Sequence, residues 1–152
     1  MSAQHIFDNT PLGSIIRYSD GTPKPPAQFT KKLEQWERSN GAGRLIRKSP
    51  GRNVGNHPFP ASITMHEGDI GGGGIALIVL HRSFSVDTRL RFEVIETPDL
   101  GSVRVLGQYS TGTELLHLAA SYEAAARWLK QHPHSNAVLE EVMTVEPSLQ
   151  AA

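Results

Sequence analysis

Ile75-Ala76-Leu77-Ile78-Val79-Leu80 is the most apolar run in the chain, and it follows four consecutive glycines, Gly71–Gly74. The run is too short for a helix, and its β-branched Ile and Val residues favour extended backbone. A brief, continuous apolar run bounded by turn signals is expected to be a strand buried on both faces, with the rest of the chain packed around it. Glycine loses more backbone entropy on ordering than any other residue. The glycine run therefore reads as the loop of a hairpin joining Ser62–His66 to Ile75–Leu80. Its amides are a possible anion cradle. A Walker-type phosphate loop needs Gly-Lys-Ser/Thr and a following helix, and neither is present.

The other segments are short and punctuated by Gly, Pro, Asn and Asp. Ser14–Tyr18 reads as a strand ended by Asp20-Gly21. Pro23, Pro25 and Pro26 form a stiff lead into a helix over 27–39, whose stripe Phe29, Leu33 and Trp36 is expected to face the core. Gly43–Lys48 is a second strand, predicted to pair with Ser14–Tyr18 across that helical excursion. Residues 49–60 are a long loop rich in Pro, Gly and Asn, of the length that often carries function. Arg91–Glu96, Ser102–Leu106 and Glu114–Leu118 recur at about ten-residue spacing, which predicts an antiparallel meander. Ser121 caps a helix over 122–131, with Glu123 in its first turn; Tyr122, Ala125, Ala126 and Leu129 are its expected packing side. Asn136 is expected to cap a last helix, Ala137–Met143. Residues 1–12 are read as a flexible arm and 147–152 as a tail. The fold predicted is α+β: one domain over 1–152, with a curved antiparallel sheet or partial barrel of about six strands and two to three helices.

Composition narrows the function classes. The chain has 152 residues and no cysteine, which excludes disulfides and thiolate metal sites. No apolar run approaches the roughly 18 residues of a membrane helix. Met1–Asp8 lacks the basic and apolar regions of a signal peptide, so a soluble, cytoplasmic protein without membrane attachment is expected. Net charge is zero but unevenly spread: residues 1–60 hold nine Lys/Arg against four Asp/Glu, and residues 61–152 hold six against eleven.

The basic excess is concentrated. Arg44, Arg47, Lys48 and Arg52 lie close together, with Arg17 on the strand expected to pair with them. Clustered cations of this kind bind phosphate backbones. Strict strand alternation turns Arg44 away from Arg47, so the expected patch is Arg17, Arg47, Lys48 and Arg52 beside the long loop.

His66, Glu67, Asp69 and His81 are the candidates for catalysis. His81 would stand across the hairpin from His66, while Glu67 would point away from His66 unless the strand turns at Gly68. The helical His-Glu-x-x-His pattern is absent, and the spacing matches no zinc motif. His132 is most simply the end of a helix, where positive charge is favoured. Glu140 and Glu141, as neighbours on a helix, would face different ways. No Gly-x-Ser-x-Gly elbow accompanies any serine. With no metal site or cofactor expected, the reading is a non-catalytic binding or regulatory protein that contacts nucleic acid or a nucleoprotein through its basic patch. Two alternatives stay open. One is a protein-interaction or inhibitor module, or a self-associating protein, docking through 52–60, Gly71–Gly74 or the acidic half. The other is an enzyme with an uncommon site within residues 66–81.

Overall fold

The computed structural model describes residues 1–70, 78–110 and 112–143, and gives the backbone alone for 68–70 and 78–79. In chain order the elements are α1 (Ala3–Asn9), β1 (Ile15–Ser19), α2 (Thr30–Glu37), β2 (Gly41–Ser49), β3 (Arg52–Val54), β4 (His57–Phe59), β5 (Ser62–Ile70), β6 (Ile78–Ser85), β7 (Arg91–Glu96), β8 (Val103–Tyr109), β9 (Gly112–Ala119), α3 (Tyr122–Gln131) and β10 (Ala137–Glu141). The fold is α+β. Eight strands form one open antiparallel sheet in the order β10-β8-β9-β2-β1-β7, with β5 on β2 and β6 on β5; β3 and β4 form a separate hairpin.

The organising strand is β2, not the apolar run. Arg44 of β2 opposes both Ile15 of β1 and His66 of β5, whereas Arg47 opposes both Thr64 of β5 and Glu114 of β9. A residue in a sheet has two flanks, so β1 and β9 follow one another along the same edge of β2, with β5 along the other. Of the run Ile75–Leu80, the described residues Ile78–Leu80 lie in β6, which among the described residues pairs with β5 alone, and Leu80 is exposed. It is therefore an edge strand rather than the centre. Gly71–Gly74 and Ile75–Leu77 lie outside the described residues, as does the tail 147–152.

Alternation along the strands builds three hydrophobic clusters, the smallest of Ile46, Leu106 and Leu115 and the two larger on opposite faces. On the first face Ile16, Tyr18, Leu45, Ile63, Met65, Phe84 and Phe92 pack beneath Ala3 and Ile6 of α1. The expected arm is thus a helix. The Ser2 hydroxyl accepts the His5 N–H at its start, the Thr10 N–H donates to the Ile6 carbonyl at its end, and Ala3 and Ile6 are fully buried. On the other face α3 lays Ala125, with Ala124, Trp128 and Leu129 beside it, onto Val103, Val105 and Ala119. Ser121 caps α3 as expected, accepting the Ala124 N–H. Tyr122 and Ala126, expected on the packed side, are exposed.

Three further expectations are revised. The stripe Phe29, Leu33, Trp36 of α2 is not core: no residue of α2 is buried, and the Trp36 indole N–H donates to the Thr22 carbonyl over the proline-rich lead. Ala137–Glu141 is strand rather than helix, because β8 has a free edge there and Ala137 and Leu139 complete the core under α3. The 49–60 loop contains an ordered two-stranded hairpin whose residues are all exposed.

Candidate functional site

The open part of the second sheet face is the candidate site. The α3 helix packs on β8, β9 and β10; on the rest of that face, among the described residues, Arg17 and His81 are exposed, Arg44, Arg47 and His66 are half-buried, and Thr64 is buried. Between this open area and the last turn of α3 lies a cleft of about 660 Å³, lined by Arg44, His66, His81, Glu114, His117, Trp128 and His132 among others.

Each member is placed by a readable local cause. The Arg44 side chain reaches back to donate to the Gly13 carbonyl at 2.6 Å, which steadies its guanidinium at the cleft wall. His66 and His81 are directly opposed on β5 and β6, with ring centroids 5.8 Å apart, edge to face. Trp128 of α3 and His132, the residue that caps its C-terminus, stack at 4.5 Å; the Trp128 carbonyl also accepts the His132 backbone N–H that closes the helix. His117 of β9 stacks on the same indole at 4.9 Å and 5°. Burial lowers the His117 pKa, and the nearby His132 and Arg44 lower it further. Arg44 and Glu114 give the cleft one fixed charge of each sign, and His117, Trp128 and His132 make its wall aromatic.

The predicted basic residues are sorted by a β-bulge that simple alternation could not foresee. Leu45 opposes Met65 and Arg47 opposes the next residue back, Thr64, so Ile46 is the extra residue of β2. The bulge turns Arg47 onto the same face as Arg44, contrary to the expected opposition, and sends Lys48 to the α1 face opposite Ile63. There burial lowers the Lys48 pKa, with Asp8 of α1 opposing that shift. Arg17 shares the Arg44 face, at 3.6 Å from Glu93. Arg52 stands apart on the β3–β4 hairpin. The patch brought together is Arg17, Arg44 and Arg47, not Arg17, Arg47, Lys48 and Arg52.

The His66, Glu67, Asp69 and His81 group is divided. Backbone alone is described at Asp69. A second bulge, between His66 and Gly68, leaves Glu67 unpaired in the ladder and directs it through the first face. There Glu67 accepts the Tyr18 hydroxyl at 2.6 Å and lies 3.5 Å from Arg82, which donates to the same Tyr18 oxygen at 2.8 Å. The Arg82 guanidinium also covers the Tyr18 and Phe84 rings. Burial and the Glu67 carboxylate push the Tyr18 pKa up to about 12. Gly41 and Gly43 leave room for this cluster: a Cβ on Gly41 would stand 2.7 Å from the Tyr18 oxygen. It is a half-buried network on the first face, at the wall of a pocket shared with Glu34, Glu37 and Arg38, and not a companion to His66 and His81. Among the described residues no three of His, Asp and Glu converge as metal ligands.

His117, Trp128 and Glu114 were not picked out from the sequence. The i, i+4 spacing of Trp128 and His132 was the one available signal; the approach of β9 to β5 was not. Glu140 lies on β10, where it pairs with the buried Arg104 at 2.8 Å.

The family model described as uncharacterised conserved protein UCP036055 matches residues 1–146, and the chain belongs to that family. No curated protein and no solved structure matches the chain. Among the described residues no helix is long and apolar enough to cross a membrane.

Proposed function

We propose that the protein is a non-catalytic binding protein that contacts nucleic acid with the uncovered half of its second sheet face. The observation that carries this reading is the placement of Arg17, Arg44 and Arg47 on one face that runs into a cleft walled by imidazoles and an indole. Phosphates track the arginines, and the cleft accepts one unit of the strand against its indole and imidazole wall. Glu93 and Glu114 border the patch, limiting the attraction to its immediate surroundings.

The test is salt-dependent binding of labelled DNA and RNA. Replacing Arg17 and Arg44 together with Ala is expected to weaken binding and shallow the slope of log K against log salt by up to about two units. Lys48→Ala, on the opposite face, leaves the slope unchanged. Equal effects of the two variants would show that the charge acts at random over the surface. A partner retained after nuclease treatment, with no DNA or RNA bound at low salt, would replace this reading with a protein partner.

A further inference from the structure

The β3–β4 hairpin contributes nothing to either core, and every residue from Gly51 to Pro60 is exposed. It is nonetheless sharply built. Val54 opposes His57 around a two-residue turn in which Gly55 has φ +61 and Asn56 a negative φ, the pattern of a type II′ turn with glycine first. At the root, a Cβ on Gly51 would stand 3.1 Å from the Phe59 carbonyl oxygen, so the two chain ends meet closely there. An isolated two-stranded hairpin is marginally stable in water, and this one buries no apolar side chain in return.

Register decides what the hairpin presents. Arg52 opposes Phe59 and Val54 opposes His57, so these four side chains share one face, while Asn53 and Pro58 share the other. The Arg52 guanidinium lies 6.0 Å above the Phe59 ring, and Phe59 and Val54 are both about half exposed, at 51% and 52%. An aromatic ring, a guanidinium and an imidazole alternating on a solvent-facing ribbon match what stacks and neutralises unpaired bases. The charge environment agrees. From Arg38 to His66 the chain carries Arg38, Arg44, Arg47, Lys48 and Arg52 and no Asp or Glu. The hairpin sits inside this acid-free segment, which continues directly into the β2 arginines of the cleft face.

We infer that the β3–β4 hairpin is a single-stranded nucleic-acid contact, in which Phe59 stacks on a base and Arg52 holds a neighbouring phosphate. This rests on the nucleic-acid reading above and names its form: unpaired strand rather than duplex. A duplex groove is read by polar side chains on base edges; half of this face is apolar and suits an unstacked base.

The experiment is fluorescence anisotropy with labelled oligothymidylate of roughly 16 nucleotides, alone and as the duplex with oligoadenylate, against the full chain. The wild type is expected to prefer the single strand. Phe59→Ala weakens single-strand binding by roughly five- to a hundred-fold without altering the salt slope, because the ring carries no charge, and Phe59→Trp restores it. Arg52→Ala shallows the slope by about 0.7. No hairpin residue belongs to a hydrophobic core, so circular dichroism of these variants stays that of the wild type. If oligothymidylate binds and the hairpin variants bind equally well, the inference fails while the nucleic-acid reading stands. Preference for the duplex also overturns it. If no nucleic acid binds even at low salt, both fall together.

Discussion

The second face of the sheet is one continuous surface with two fates. Under α3 it carries Val103, Val105 and Ala119 against Ala125, small apolar side chains that let the helix lie close. A few strands away, where no helix covers it, the same face carries Arg17, Arg44, Thr64, His66, His81 and Ser83. The difference lies in what each stretch must face. Buried polar groups need partners, and here the polar side chains appear where water remains within reach, or where, as with Thr64 and Ser83 at 2.7 Å, they bond each other. The contrast marks the open half as the surface free for a ligand, and β2 as the strand that holds both halves together.

The largest expected effect breaks that connection. Leu45→Ala in β2 removes a fully buried side chain beneath α1 and is expected to cost about 2–5 kcal/mol by chemical denaturation. Because β2 pairs with β1, β5 and β9, amides of β8 and β9 should lose hydrogen-exchange protection along with those of β1. Full retention at β8–β9 would mean that the two halves fold independently.

A smaller effect sharpens the contrast between the half-buried network on the first face and the cleft on the second. Glu67→Gln weakens the Tyr18–Glu67–Arg82 cluster and is expected to cost roughly 1–3 kcal/mol. Tyr18 titrates at about 12 in the folded chain against 10 in the unfolded one. Its contribution to stability is therefore complete below pH 10 and is lost as pH rises through about 12. In the Gln variant the late component of the tyrosinate absorbance titration moves down from about 12, yet stays above 10 because burial remains the largest cause. An unmoved titration would remove Glu67 from the account.

The smallest effect tests the cleft. The folded-state pKa of His117 is depressed, so its contribution is present above the unfolded value of about 6.5 and is lost as pH falls below it toward the folded value. His117→Gln should flatten this acid limb of stability, and it removes only the His117 share of the pH-dependent Trp128 fluorescence, because His132 and His134 also stack on that indole. A variant with the same acid limb as the wild type would place the titrating group elsewhere.

Ser121 with Glu123, the adjacency of the first two strands, the His66–His81 opposition and the class of an antiparallel α+β sheet were all readable in the chain, though the first pairing falls on Gly41–Arg44 and not on Gly43–Lys48. Each depends on neighbours in sequence, on local alternation or on one hairpin. The α1 helix was not readable, because a seven-residue helix has too little intrinsic stability to announce itself and is held by burial of Ala3 and Ile6. Nor was β10, where an open edge of β8 outweighs the helical propensity of Ala137–Met143. The cleft falls in the same class. The sequence by itself determined which residues carry charge, imidazole and glycine, and where strands and turns alternate. Only the tertiary structure decided which of them meet. One inserted residue at Ile46 reverses the facing of everything after it, and one at Glu67 divides a candidate catalytic group between two faces. Bulges are set by pairing with distant strands, and no local period in the chain records them.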